Sequence, residues 1–292
     1  MHSVGKLLFY WDYDTQWGAD RSLSGPKSWG HLEFQNTDRL LEIHAAYDIK
    51  ACFAVVGAAA LSGAWPYHDP GQIRRIHGAG HEVASHSFRH EWLPGLSPDA
   101  LRETLARSKE SLEQCIGAPV VSFVPPFNQP FDYPRRRAFS LSERRQVKGE
   151  RTDLEQLCET LFECGYSFSR VAYRTLVEKV ADGLRGRRVV RPASPETIAG
   201  LTCIRLNTAA GFADATRETV LECVAKRAWA IVYGHPHSLF AEGAQNLAHL
   251  APFMEFIGKL RNEGRLSVYL PREIVSWGCL QETNEGTGER LS

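Results

Sequence analysis

"GHEVASHSFRHEW", residues 80–92, begins as a strand and ends on two histidines four residues apart. The short run at 82–86 closes on His86, and His90 follows four residues later. In a helical turn that spacing puts both rings on one face. Imidazole is the commonest nitrogen ligand for zinc and similar divalent metals. His81 lies at the other end of the same run and is not expected to join them. H-x-x-x-H also arises by chance, as two unrelated loop histidines. Its position gives it weight, because the pair closes a strand in a chain built of alternating elements.

Working outward, apolar runs of strand length fall at 6–14, 50–57, 82–86, 120–124, 167–172, 201–207, 228–235 and 266–270. Helix-period segments separate them. One starts near Thr37 behind Asn36 as a cap. Another starts at Ser97-Pro98, a cap followed by proline at the first helical position, and stops at Gly117 before Pro119. Further helices fit 153–164, 214–227 and 247–263. About eight alternations indicate an α/β protein with a parallel sheet. Closure into a (β/α) barrel is the natural expectation, with function at the C-terminal ends of the strands. The reading is one barrel domain over 1–280, interrupted by a basic insertion at 134–153 and followed by a flexible tail at 281–292.

The chain has 292 residues and balances 34 Lys+Arg against 34 Asp+Glu, so no global field draws it to nucleic acid or an anionic membrane. No apolar run is long enough to span a bilayer. Acidic residues interrupt the N-terminus before a signal peptide could form. Seven cysteines, an odd number without close metal-type pairs, read as buried thiols in a reducing cytosol. A cytoplasmic location is expected.

Three more strand ends carry chemistry. In "FYWDYDTQWG", residues 9–18, Asp12 and Asp14 share one face of a strand. Two adjacent carboxylates repel unless a cation or proton is shared, although turn-capping aspartates would read the same way. In "FVPPFNQPF", residues 123–131, consecutive prolines leave the sheet stiffly and present the Phe127 backbone N–H and the Asn128 side chain, or simply make a rigid turn. In "AIVYGHPHSL", residues 230–239, His235 at a strand end is a candidate general acid, with His237 a near competitor or a surface histidine. Arg135, Arg136 and Arg137 open the basic insertion, either a solvated loop or a grip on an anionic substrate group.

Strand-DxD, strand-HSxxH, strand-xPP-aromatic and strand-His, in that order, resemble the polysaccharide deacetylase family, a carbohydrate esterase group. "HSFRH" at 86–90 carries the most specific match, supported by "GHEVASHS" and by "ACFAVVG" at 51–57. The resemblance implies an irregular (β/α) barrel of about seven to eight parallel strands. It also implies one divalent metal on Asp14, His86 and His90, zinc first, with cobalt or nickel as alternatives. It assigns Asp12 as general base, His235 as general acid and the Phe127 backbone as oxyanion donor. Trp17, Asn128, Arg135, Arg136, Arg137 and His237 are carried as substrate-binding candidates.

This sequence departs from the family pattern in three places, one being the Arg-rich segment after the proline motif, an elaboration not expected in simple chitin deacetylases. Tyr13 separates the two aspartates, and Val124 stands where the family has an arginine that orients the base. Arg21, Arg170 and Arg205 are the candidate replacements. The expected activity is hydrolysis of an N-acyl, first an N-acetyl, group from an amino sugar or small glycoconjugate that can carry phosphate. Alternatives are a deformylase or other non-peptide amide hydrolase on the same scaffold, or a non-catalytic sugar-binding protein. The oligomeric state stays open.

Overall fold

The computed structural model describes residues 4–22, 27–128, 153–173, 176–185 and 191–275. Its organising strand is β1 (Gly5–Tyr13), which is apolar on both faces. Leu7, Phe9, Trp11 and Tyr13 point one way, into a core shared with the helices. Leu8 and Tyr10 point the other way, into a second cluster with Cys52, Ala54, Ala84, Val124, Phe168 and Ile231. This two-residue alternation places Asp12 on the inner face.

The other strands are β2 (Cys52–Val55), β3 (Glu82–Ser85), β4 (Ser122–Phe123), β5 (Phe168–Val171), β6 (Pro195–Ile198), β7 (Leu201–Arg205), β8 (Trp229–Gly234) and β9 (Leu266–Tyr269). They form one sheet in the order β6-β7-β5-β4-β3-β2-β1-β8, with β9 also on β1. On one edge β1 pairs with β8; on the other, β9 takes its first half and β2 its second. Every pairing is parallel except β6 with β7, an antiparallel hairpin that the sequence reading did not anticipate.

The sheet curls until its outer strands meet. Ala193, just before β6, bridges Trp229 at the start of β8. Asn207 then substitutes for a ladder: Nδ2 donates to the Trp229 carbonyl at 3.0 Å, and Oδ1 accepts the Ile231 N–H at 2.9 Å. The Thr208 hydroxyl adds a bond of 2.6 Å to the Ile231 carbonyl. The result is the expected α/β architecture, an irregular barrel of mostly parallel strands.

The helices are α1 (Thr15–Arg21), α2 (Trp29–Ala46), α3 (Pro70–Gly78), α4 (Pro98–Ile116), α5 (Leu154–Glu163), α6 (Leu176–Arg185), α7 (Asp214–Ala225) and α8 (Leu247–Asn262). In α4 the Ser97 side chain accepts the Ala100 N–H and Gly117 closes the helix at φ 68°, as its sequence signals indicate. Asn36 is not a cap. It lies inside α2, and its side chain donates to the Pro236 carbonyl at 2.8 Å, fastening the helix to the loop after β8. Helices α1, α3 and α6 were not anticipated. Among the described residues no helix is long and apolar enough to cross a membrane.

Candidate active site

The C-terminal ends of β1, β3 and β8, with the 3₁₀ turn Pro126–Asn128 after β4, surround a cavity of about 250 Å³. Asp12, Asp14, His86, His90, Phe127, Asn128, His235 and His237 all line it. Trp17 is not among the lining residues; its ring packs against Tyr67 and His68 under the Arg89 guanidinium. Arg135, Arg136 and Arg137, with nearly all of the basic insertion, and the tail at 281–292 lie outside the described residues.

Asp14 follows β1 directly, and the turn that holds it is built by residues the sequence reading passed over. Thr15 adopts φ 57°, and its N–H donates to Glu33 Oε2 at 2.5 Å. The Trp29 indole donates to the Thr15 carbonyl at 3.0 Å. Gly18 leaves room for the Asp14 side chain, since a Cβ there would stand 2.5 Å from Asp14 Cβ. Glu33 is wholly buried; burial, then the nearby Asp14 charge, pushes its pKa well above the usual carboxylate range.

His86 and His90 are not on a helix, as their spacing alone suggested. They sit on a loop with Ser87 at φ 61° and His90 at φ 57°. That loop is pinned to the turn after β2, where the Gly57 and Ala58 N–H groups donate to the Ser87 and Phe88 carbonyls at 2.9 and 2.8 Å. His86 Nδ1 lies 2.7 Å from the Val124 carbonyl. A carbonyl only accepts, so Nδ1 carries the proton and Nε2 is left with a lone pair.

That lone pair faces Asp14 Oδ1 at 3.2 Å, and His90 Nε2 faces the same oxygen at 3.4 Å. Asp14 Oδ1 is buried without a properly angled hydrogen-bond donor. Burial alone would raise the Asp14 pKa; with the rings protonated, in place of a bound cation, His90 and His86 more than offset it and hold the carboxyl well below its usual range. One atom from each of the three residues lies within 4.8 Å of the others. Two imidazole Nε2 atoms converging on a carboxylate oxygen suit a divalent cation, and His86 already has the carbonyl partner typical of a ligating imidazole. The residues fit a metal.

Asp12 lies beside this group, one oxygen paired and the other open. Arg170 Nη2 on β5 donates to Asp12 Oδ2 at 2.7 Å, while Oδ1 is buried without a partner. Arg170 is 2% exposed, with its guanidinium between the Tyr10 and Tyr233 rings at 4.9 and 4.7 Å. Among the candidate cations, Arg205 instead pairs with Glu178 at 2.7 Å. His235 Nε2 stands 4.0 Å from Asp12 Oδ2. Its Nδ1 and its backbone N–H both meet Gln245 Oε1 at 2.8 Å. An amide oxygen accepts both only if Nδ1 is protonated, so Nε2 is the exchangeable position. His237 stacks on Trp29 at 4.4 Å, with Nδ1 3.7 Å from Glu33 Oε1, and burial lowers its pKa.

Glu33, Trp29, Gln245 and Tyr233 carry no local sequence signal, because each acts through a contact distant along the chain. Phe127 and Asn128 adopt φ 59° and 54°, consecutive left-handed residues that fold the post-proline segment over His90; the Phe127 ring lies 4.4 Å from that imidazole.

Known proteins share parts of this chain's sequence and its fold. Residues 25–141 match the family model for polysaccharide deacetylases, a span that includes His86, His90, Phe127 and Asn128. The fold is shared with a polysaccharide deacetylase candidate from Mycobacterium smegmatis at 18% identity, over 95% of this chain and 91% of that one, with a TM-score of 0.64. A CE4 family pseudoenzyme from Bacillus anthracis aligns at 17% identity over 93% of this chain and 66% of its own, with a TM-score of 0.47. The uncharacterized protein YlxY of Bacillus subtilis (strain 168) is 28% identical over 99 residues, 34% of this chain and 28% of that relative's length. Residues 25–141 thus match a polysaccharide deacetylase model, and the chain as a whole shares the curled α/β fold of the Mycobacterium smegmatis protein.

Proposed function

We propose that the protein is a metal-dependent hydrolase that removes an N-acyl group, in the first place N-acetyl, from an amino sugar or small glycoconjugate. The observation that carries this reading is the meeting of an Asp-His-His group, an arginine-paired carboxylate and a tethered histidine in one cavity. Asp14, His86 and His90 would hold the ion. When bound, a divalent ion such as zinc supplies Lewis-acid polarisation of the acyl carbonyl and an acidified water.

The chain's own groups supply the proton transfers. Asp12 takes the proton of the attacking water as its oxygen bonds to the acyl carbon. The Phe127 backbone supports the oxygen that gains charge. His235, protonated at Nε2 and held at Nδ1 by Gln245, gives its proton to the nitrogen as the C–N bond breaks. The products are a carboxylate and a free amine. Gln245 keeps the ring in the tautomer that this transfer needs.

The test is metal analysis and hydrolysis assays on the wild type beside His86→Ala and Asp12→Asn, scored for acetate, formate and ammonia release. His86→Ala is expected to lose the ion. Asp12→Asn is expected to keep it, with kcat lower by about 10²–10⁴-fold. A wild type that binds no zinc, cobalt or nickel, or binds glycan without turnover, overturns the reading.

A further inference from the structure

Asn128 looks at first like a substrate contact, since it lines the cavity and carries both a donor and an acceptor. Its polar ends are already engaged elsewhere. Arg170 Nη2, the nitrogen that holds Asp12, also donates to Asn128 Oδ1 at 3.2 Å. A guanidinium has no acceptor, so the amide must turn its oxygen to Arg170 and its NH₂ away. That NH₂ donates to the Tyr233 hydroxyl at 2.9 Å. Asn128 therefore joins three strand ends: Asp12 on β1, Arg170 on β5, and Tyr233 on β8, two residues before His235.

The backbone supports the same role. Asn128 sits at φ 54°, a conformation Asn tolerates better than most residues. Arg170 is buried in the barrel interior, and its Nη1 finds no hydrogen-bond partner among the described residues. The Tyr10 and Tyr233 rings lie 4.9 and 4.7 Å from the guanidinium carbon, contacts that attract the cation without fixing its rotation. Asp12 and Asn128 share Nη2 and set that rotation together.

We propose that Asn128 is a positioning residue and not a substrate contact: it clamps the Arg170 guanidinium against Asp12 and ties both to Tyr233. This inference rests on the assignment of Asp12 as the base. The position of Arg170 also answers the apolar Val124 just after β4. Val124 lies one residue beyond the registered pair Phe123–Ser169, in line with Arg170, so the cation reaches Asp12 from the neighbouring strand at the same level.

The experiment compares Asn128→Ala, Asn128→Asp and the exchange variant V124R/R170V, each by steady-state kinetics and by crystal structure with metal bound. A lost substrate contact raises KM with kcat kept. A lost strut lowers kcat, here by about 10²-fold, with KM within about threefold of wild type. Asn128→Asp keeps the volume but offers the guanidinium a second carboxylate, and is expected to draw Arg170 off Asp12. V124R/R170V returns a guanidinium to Asp12 from β4 and is expected to be more active than Arg170→Val alone. A rise in KM at constant kcat, or an unmoved Asp12–Arg170 pair in Asn128→Ala, overturns the inference. If the wild type turns over no acylated sugar, the functional reading fails, and the Asp12–Arg170 geometry in Asn128→Ala still decides the role of Asn128.

Discussion

At the scale of single residues, the site depends on groups that never meet a substrate. Gly18 is one: it lies on α1, one turn after Asp14, and any side chain there must push the Asp14 carboxylate aside. Gly18→Ala is expected to weaken metal binding by about tenfold or more, the range for groups that orient a ligand, with far-UV circular dichroism unchanged. Chelator competition measures it; wild-type affinity would show that Asp14 is held by other contacts. Asp12, Asp14, His86 and His90 stood out in the sequence as candidates because they fall at or just after strand ends and are residue types with obvious chemistry. Arg170 was legible only as one of three cations, since nothing local distinguishes it from Arg21 or Arg205. Gln245 and Glu33 were not legible, because their partners lie ten and eighteen residues away across the fold.

At the scale of elements, the long helices follow from caps and periodicity, and α4 is the clearest case. Gly117 ends it in a left-handed conformation, with nothing within 4 Å of a would-be Cβ. Gly117→Ala therefore isolates a backbone effect, expected to cost about 1 kcal/mol and to lower Tm by about 2–4 °C. A thermal melt checks it; an unchanged Tm would mean that the turn relaxes without strain. The elements that escaped the sequence reading are short or anchored from outside. Seven-residue α1 is held by the Glu33 and Trp29 contacts to its first residue, not by an apolar stripe of its own. The residue that resembled a helix start, Asn36, is instead a mid-helix tether whose partner lies 200 residues away. Helical spacing likewise misread "HSFRH", where two left-handed residues put the rings together without a helix.

At the scale of the whole molecule, buried titratable groups outside the cavity set the pH response. The Trp11 indole donates to His44 Nε2 at 2.8 Å while Nδ1 faces the Ile49 carbonyl, so the ring is satisfied only when neutral. Burial, then neighbouring His81, lowers the His44 pKa to about 3, and burial lowers that of His81 to about 4. Both rings stay neutral in the fold where the unfolded chain is protonated, so their stabilisation is present above about pH 6.5 and falls as pH drops towards 4. Glu82 acts oppositely: burial raises it to about 7, so its contribution is present below about pH 4.5 and is lost as pH rises through 7. Glu33, whose pKa is also raised, acts in the same sense as Glu82, so the histidine part is read as a fall in Tm between pH 6 and 4 by comparison with a variant. In His44→Gln, which can accept from Trp11 and donate to Ile49, the fall should be shallower. An equal slope in a Tm-against-pH series would assign the acid sensitivity to other groups.

The seam between β7 and β8 divides the barrel wall into two kinds of attachment. Along β1, strand β8 is held by a continuous backbone ladder, which parts only when the strands separate together. On its other edge, the Ile231 amide is held by the side chain of Asn207, and a rotation about that side chain's own bonds is enough to release it. The consequence lies in amide exchange within β8: the Ile231 N–H is expected to exchange faster than the N–H groups bonded along β1, while Ala193 and Gly211 still hold that edge by backbone bonds at Trp229 and Tyr233.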